Sequence, residues 1–240
     1  TNIYRNRIGS SFATIAGGYR NEITGSAWAA AIGGGFANQA REGANYAVIP
    51  GGQSNVVAGA HAFAAGLAAR AEHSGSFVWA DSTGLPLSTT VNDQMLLRAS
   101  GGVRIYSDAS HASGVRLNAG ANSWSMISDR HVKENFREID KRAVLGKVAR
   151  LPITEWNLIT QEPSIRHVGP MAQDFQAAFG LGESDRHIDT SDAHGIALAA
   201  LQGLNEIVEE KEARISALER RLAELESRLS ALLERKTEAP

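Results

Sequence analysis

The chain has 240 residues, 43 % of them hydrophobic, with 24 basic against 26 acidic side chains and no cysteine. This composition is not that of a disordered chain; the near-cancelling charge, with no Lys/Arg-rich run among aromatics, marks no nucleic-acid surface, and without thiols disulfides and thiolate metal sites are excluded. No apolar run approaches the roughly 18 residues a membrane span requires.

The opening "TNIYRNRIGSS" lacks the apolar centre of a signal peptide, and a chain beginning on Thr reads as a piece of something longer. With 24 glycines and few aromatics, residues 1–127 are poorly supplied for a compact core. Stability there is expected from stacked repeats or from other chains, so an oligomer is expected. A repeat does run from residue 12 to 75: "IAGGYRNEITG", "IGGGFANQAREG", "IPGGQSNVVAG" and "AAGLAARAEHSG" lay Gly18, Gly35, Gly52 and Gly66 in step, at spacings of 17, 17 and 14. A short alternating apolar stretch precedes each glycine pair, as in Tyr46 to Ile49. Short strands and glycine turns at a near-constant period indicate a β-solenoid. Asn21, Asn38 and Asn55 recur three residues after the second glycine, where Asn is expected to take left-handed backbone and bond its own turn. The pattern resembles the head repeats of trimeric autotransporter adhesins, which implies a left-handed parallel β-roll shared among three chains.

Beyond the repeat, "DQMLLRASGGVRIYS" alternates around Gly101-Gly102 as a hairpin or two short strands, and "GVRLNAGANSWSMI" continues in the same manner. These residues read as a β neck. From 128 helical signals dominate. Asp140 can cap a helix through "KRAVLGKVARL" that ends by Pro152, and "ITEWNLI" alternates as a strand. "PMAQDFQAAFG" places Pro170 near a helix start and Gly180 at its stop. The last helix opens near Ser191 or Asp192, runs to about Lys236 with only Gly195 and Gly203 as weak breakers, and spans on the order of 60 Å. Leu201, Val208, Ile215, Leu222 and Leu229 take heptad a positions, and Leu204, Lys211, Leu218, Leu225 and Leu232 take d. All but Lys211 are apolar, the signature of a coiled coil, and Arg214 with Glu219 and Arg221 with Glu226 can pair between parallel helices.

The predicted architecture is therefore mixed: a left-handed parallel β-roll (solenoid) head at 1–82, a β neck at 83–127, a small α+β domain at 128–200, and a long parallel coiled coil at 201–236. Nucleotide loops, HExxH and GxSxG are absent. His187, Asp189, Asp192 and His194 come nearest to a ligand cluster, but polar residues leading into a helix are ordinary caps, so no metal or other cofactor is expected. Ser128, Asp129, Arg130, His131 and Lys133 remain. Composition alone makes them a turn cap followed by solvated cations.

The C-terminal half points further. "SDRHVKENF", "PITEWNLI", "RHVGPMAQDFQAAF" and "HGIALAALQGLNEIVEEKEARISALE" follow in the order and spacing of the peptidase S74 family, and the chain from 128 to about 220 resembles these intramolecular chaperones of phage endosialidases and tail fibres. The family motif S-D-x-x-x-K is complete as Ser128, Asp129 and Lys133. The resemblance implies that Ser128 is a nucleophile and Lys133 its general base, cutting the chain once between Ile127 and Ser128 after a homotrimer has assembled. Asp129 and Arg130 are possible supporting residues. A serine hydroxyl needs such a base, and bringing a lysine from about 10.4 down to 7 or 8 corresponds to roughly 3 to 5 kcal/mol of desolvation or like charge. Residues five apart lie on opposite faces of a strand and roughly 140° apart on a helix, so a bend or packing from elsewhere must join Ser128 to Lys133.

Two readings follow: a trimeric virion tail fibre or bacterial surface protein whose tail folds it and then cuts itself away, or a structural, adhesive trimer whose tail is only a clamp and whose chain stays whole. A glycan or receptor is compatible with either. Tyr19, Phe36 and Tyr46 could form a sugar platform, although packing beside the turns accounts for them as well.

Overall fold

The computed structural model describes residues 5–237, so Thr1–Tyr4 of the expected head lie outside the described residues. It divides into two compact units, residues 1–134 and 135–240.

In chain order the first strands are β1 (Arg7–Ile8), β2 (Thr14–Ile15), β3 (Glu22–Ile23), β4 (Ala31–Ile32), β5 (Gln39–Ala40), β6 (Val48–Ile49), β7 (Val56–Val57), β8 (Phe63–Gly66), β9 (Ala69–Ala71), β10 (Phe77–Ala80), β11 (Leu87–Ser88) and β12 (Met95–Arg98). Odd and even strands form two six-stranded sheets, parallel throughout. The chain is thus a β-solenoid with one strand of each sheet per coil. Thr14 pairs with Ala31 and Ala31 with Val48, which reproduces the 17-residue period read from the glycines. The ladders continue past residue 82, to Ser88 and Arg98.

The core between the sheets is narrow because alanine fills it. Ile23, Ile32, Ile49, Val57 and Val78 are enclosed among Ala27, Ala44, Ala47, Ala64 and Ala69. Glycine is required where coils touch: Gly35 sits at φ +88, and a Cβ there would lie 2.1 Å from the Gly52 carbonyl oxygen.

Asn21, Asn38 and Asn55 are completely buried, and their part differs from the expected one. The left-handed residues are their predecessors Arg20, Ala37 and Ser54, with φ of 60°, 56° and 56°. The asparagines themselves form a ladder through the stack. Asn38 Nδ2 donates to the Gly34 carbonyl in its own turn and to the Gly52 carbonyl in the next coil, both at 2.9 Å. Its Oδ1 accepts the Asn55 N–H at 2.9 Å, while its own N–H goes to Asn21 Oδ1 at 3.0 Å. Asn21 and Asn55 repeat the pattern. An inward Asn offers two donors and an acceptor, enough to satisfy the backbone that a glycine turn leaves unpaired.

Rings line up along the coils too. Tyr19 packs on Phe36 at 4.8 Å, and Trp28 on Tyr46 at 5.0 Å. Asp81 ties the last coil together, its carboxylate accepting from Arg98 Nε at 2.8 Å and from the Ser100 N–H at 2.7 Å.

A different sheet follows: β13 (Val103–Tyr106), β14 (Gly114–Leu117) and β15 (Ser125–Met126), antiparallel in that order. The sequence around Gly101-Gly102 thus makes two strands in separate sheets, β12 remaining in the solenoid.

In the second unit α1 (Lys141–Val148) starts at Asp140, whose carboxylate accepts the Ala143 N–H at 2.9 Å. The hairpin of β16 (Thr154–Trp156) and β17 (His167–Gly169) comes next, then α2 (Ala172–Phe179), stopped by Gly180 at φ 67°. The long helix α3 spans Thr190–Thr237, 48 residues. It begins a residue before the expected point because Asp189 is its first-turn partner, accepting the Ser191 N–H at 2.7 Å. α1 lies against α3 at Gly203, where a Cβ would meet the Lys141 carbonyl oxygen at 2.4 Å. The contact is flanked by Arg142 with Glu210 at 2.9 Å and Lys141 with Glu206 at 3.5 Å. The supposed breaker at 203 is therefore the point of closest helix approach. Along the rest of α3 the a and d residues stand in solvent, Leu218 and Leu222 each 57 % exposed.

Candidate functional site at the Ile127–Ser128 bond

The site lies wholly within the first unit, where the antiparallel sheet ends. β15 is held to β14 through Met126, and the Ile127 N–H extends that pairing by donating to the Gly114 carbonyl at 3.2 Å. The bond that follows, Ile127 to Ser128, leaves a fixed edge. The chain then makes a single 3-10 turn, Arg130–Val132, with Asp129 as its N-cap. The Asp129 carboxylate accepts the His131 N–H at 2.9 Å and sits 2.9 Å from His131 Nδ1. Those two bonds, the backbone one first, hold its pKa below the ordinary carboxylate value. The turn closes as the Lys133 N–H reaches the Arg130 carbonyl at 3.2 Å.

Residues that regular structure would keep apart are thereby joined. Lys133 Nζ stands 2.7 Å from Ser128 Oγ. Three residues of 3-10 helix already complete a full turn, where an α-helix needs about 3.6, and the extended residues on either side, Asp129 at ψ 137° and Lys133 at ψ 148°, aim the two side chains at one another. The bend is local, and no distant element is needed for it. Such a contact is the geometry for passing a proton from a hydroxyl to an amine. Both residues are exposed in the single chain. Asp129 shapes the turn through its side chain. Arg130 does so through its carbonyl.

Beside the bond is a cavity of about 410 Å³, lined by Arg104, Tyr106, His111 and Arg116 together with Ile127, Ser128 and Asp129. The sequence reading did not single out Arg104, Tyr106, His111 or Arg116. One signal was present: Gly102-Val103-Arg104 and Gly114-Val115-Arg116 repeat one tripeptide in two successive strand-like stretches, and the antiparallel register that pairs Arg104 with Arg116 puts both arginines on one face.

Of His187, Asp189, Asp192 and His194, the first two are engaged in local structure. His187 Nδ1 lies 3.0 Å from Ser184 Oγ, and Asp189 caps α3, its pKa lowered chiefly by the Ser191 hydroxyl. Among the described residues no three His, Asp or Glu side chains gather as a metal site, and no described helix is long and apolar enough to cross a membrane.

Comparison with known proteins finds one family. No curated protein matches the chain. Residues 128–180, however, match the model of the family Peptidase_S74, chaperone of endosialidase, and the match begins on Ser128 itself. Residues 128–180 of the chain are therefore assigned to the Peptidase_S74 family, chaperone of endosialidase.

Proposed function

We propose that this chain is part of a homotrimeric fibre, on a virion tail or a bacterial surface, whose S74 domain brings three copies together, guides the β-roll into register, and then cuts the chain once between Ile127 and Ser128. The 2.7 Å approach of Lys133 Nζ to Ser128 Oγ carries the cleavage reading. The exposed seam of α3 carries the assembly reading, since Leu201 to Leu232 form an apolar stripe that the described residues of one chain do not cover. A long parallel β structure has a costly non-local nucleus, and a helical bundle formed first holds the strands of three chains together while that nucleus forms.

The chemistry is an acyl shift followed by hydrolysis. Neutral Lys133 takes the hydroxyl proton as Ser128 Oγ adds to the Ile127 carbonyl carbon, closing a five-membered ring with the oxyanion on Ile127. The C–N bond then breaks, and the Lys133 ammonium returns the proton to the departing Ser128 nitrogen. Water hydrolyses the ester, leaving an Ile127 carboxylate and a free Ser128 amine. An amine is more easily neutral where water is excluded. Ser128 and Lys133 are exposed in one chain, so cleavage waits for neighbouring copies to cover them.

Intact mass tests this. Wild type is expected as two fragments divided between Ile127 and Ser128, while Ser128→Ala and Lys133→Met remain whole. A whole wild-type chain in a folded trimer overturns the cleavage step and favours the clamp-only reading, for which the uncovered seam alone suffices.

A further inference from the structure

The cavity beside the scissile bond has a charge pattern that the dyad does not explain. Arg104 and Arg116 are directly opposite one another across β13 and β14. Like charges in that relation destabilise a strand pair. Alternation puts Tyr106 and Ser125 on the same face, because Tyr106 pairs with Gly114 and Ser125 with Arg116. Both guanidinium-bearing residues line the cavity together with Ile127. Among the described residues neither arginine has an acid within ion-pair distance, although Arg7, Arg98, Arg142, Arg166 and Arg228 do. The charged groups nearby are otherwise engaged. The Asp129 carboxylate bonds His131, and the Asp108 carboxylate, in the turn between β13 and β14, is taken by Ser110, Ala112 and Ser113. His111, also at the cavity, packs on Tyr106 at 4.4 Å.

A pair of cations without an ion-pair partner, in a cavity beside one peptide bond, suits a charge that is absent before reaction and present after it. The Ile127 carbonyl is neutral in the intact chain, gains a full negative charge in the tetrahedral intermediate, and ends as a carboxylate. Resting on the cleavage reading above, we infer that Arg104 and Arg116 form the anion seat of that reaction: they stabilise the oxyanion on Ile127 as Ser128 adds, and then hold the Ile127 carboxylate so that the cut does not reverse. Fixed cations aimed at a developing oxyanion favour the transition state over the ground state, and guanidinium matches carboxylate geometry bidentately. The sheet would accordingly be more stable after cleavage than before it, because the product carboxylate relieves the repulsion between the two arginines.

The test is the rate of cleavage in the full chain, followed by intact mass from the moment of refolding, for wild type, Arg104→Gln, Arg116→Gln, the double Gln variant, and the Lys replacement at each position. Loss of charge is expected to slow cleavage by about tenfold at each site and by about a hundredfold or more in the double variant, with Lys restoring most of the rate. Acetate, a small carboxylate, is expected to slow wild-type cleavage beyond chloride at equal ionic strength and to leave the residual rate of the double variant unaltered. A double Gln variant with wild-type oligomeric mass and a wild-type rate overturns the inference while leaving the Ser128–Lys133 reading intact. Should that variant not fold, the single Gln and Lys variants decide: equal rates for Gln and Lys in folded protein reject a role for charge. A wild type that never cleaves removes the underlying reading and the inference with it.

Discussion

The solenoid buries Ile32, Ile49, Val57 and Val78 almost completely, and it partners the polar groups of its turns coil by coil through Asn21, Asn38 and Asn55. From Asn135 onward only Phe175, Ala199, Ala200 and Gly203 are buried among the described residues, and the longest helix keeps its leucines in solvent. One region is largely self-satisfied within a chain, whereas the other leaves in solvent the apolar surface that the proposed assembly would cover. A head that is satisfied once formed needs help only to begin, which is the task proposed for the tail.

The largest effect that bears on this contrast should come from the seam. Replacing Leu218 and Leu222 together by Asp removes two apolar side chains per chain from the proposed bundle, at about 1.5–3 kcal/mol each, so on the order of 10 kcal/mol per trimer. Sedimentation is expected to show single chains. A persisting trimer would mean that other surfaces hold the assembly.

Next in size is the ladder. Asn38→Ala strands the Gly34 carbonyl and the Asn55 N–H, each costing about 1–3 kcal/mol when left buried and unpaired, while the Gly52 carbonyl loses one of two donors and keeps the Phe36 N–H. Denaturant unfolding of the head should lose roughly 2–6 kcal/mol. Asn6→Ala, at the less buried start of the ladder, should cost much less, and equal losses would contradict the account of the head as internally satisfied.

Smaller, but distinctive in sign, are the two glycines of α3. Gly195 has open space around it, while a Cβ at Gly203 would strike the Lys141 carbonyl. Gly195→Ala is therefore expected to raise helix stability by about 0.5–1 kcal/mol, and Gly203→Ala to lower it by separating α1 and breaking the Arg142–Glu210 pair. Thermal unfolding monitored at the helix signal distinguishes them, and stabilisation by both would show that α1 does not need this contact.

The smallest effect is a titration. Asp108 is held at about 2 by the Ser110 hydroxyl and the Ser113 N–H, against an ordinary 3.8. Its folded value is depressed, so the stability it contributes is complete above the ordinary value and is lost as pH falls through about 2. Asp189, in the second unit, is lowered by the same kind of contact from Ser191. Carboxyl carbon shifts should place both midpoints below 3.8, and an ordinary midpoint for Asp108 would mean that its turn is open in solution.

Much of the fold was legible because it repeats. Gly18, Gly35 and Gly52 mark a period that reappears as strand register, and the heptads from Leu201 to Leu232 mark a helix with one apolar stripe. The dyad was legible as a motif, yet its closure was not. A one-dimensional reading of Ser128 and Lys133 could say only that regular structure would separate them. The asparagines were assigned to turns, but the left-handed strain falls on Arg20, Ala37 and Ser54, because the Asn side chain is needed inward to pair with the neighbouring coil. Arg104 and Arg116 were missed because each is an unremarkable strand arginine until the other stands across from it.

The sequence by itself determined what depends on spacing along one chain: the coil period, the caps at Asp140 and Gly180, the seam of α3, and the pairing of a serine with a lysine in one motif. The tertiary structure alone decided what depends on partners far apart in sequence. Asn38 answers Gly52, Gly203 admits Lys141, and Arg104 meets Arg116 beside Ile127. Hydrogen bonds, close approaches and like-charge contacts act through space over a few ångströms, and residues 12 to 62 positions apart come within that range only once the chain has folded.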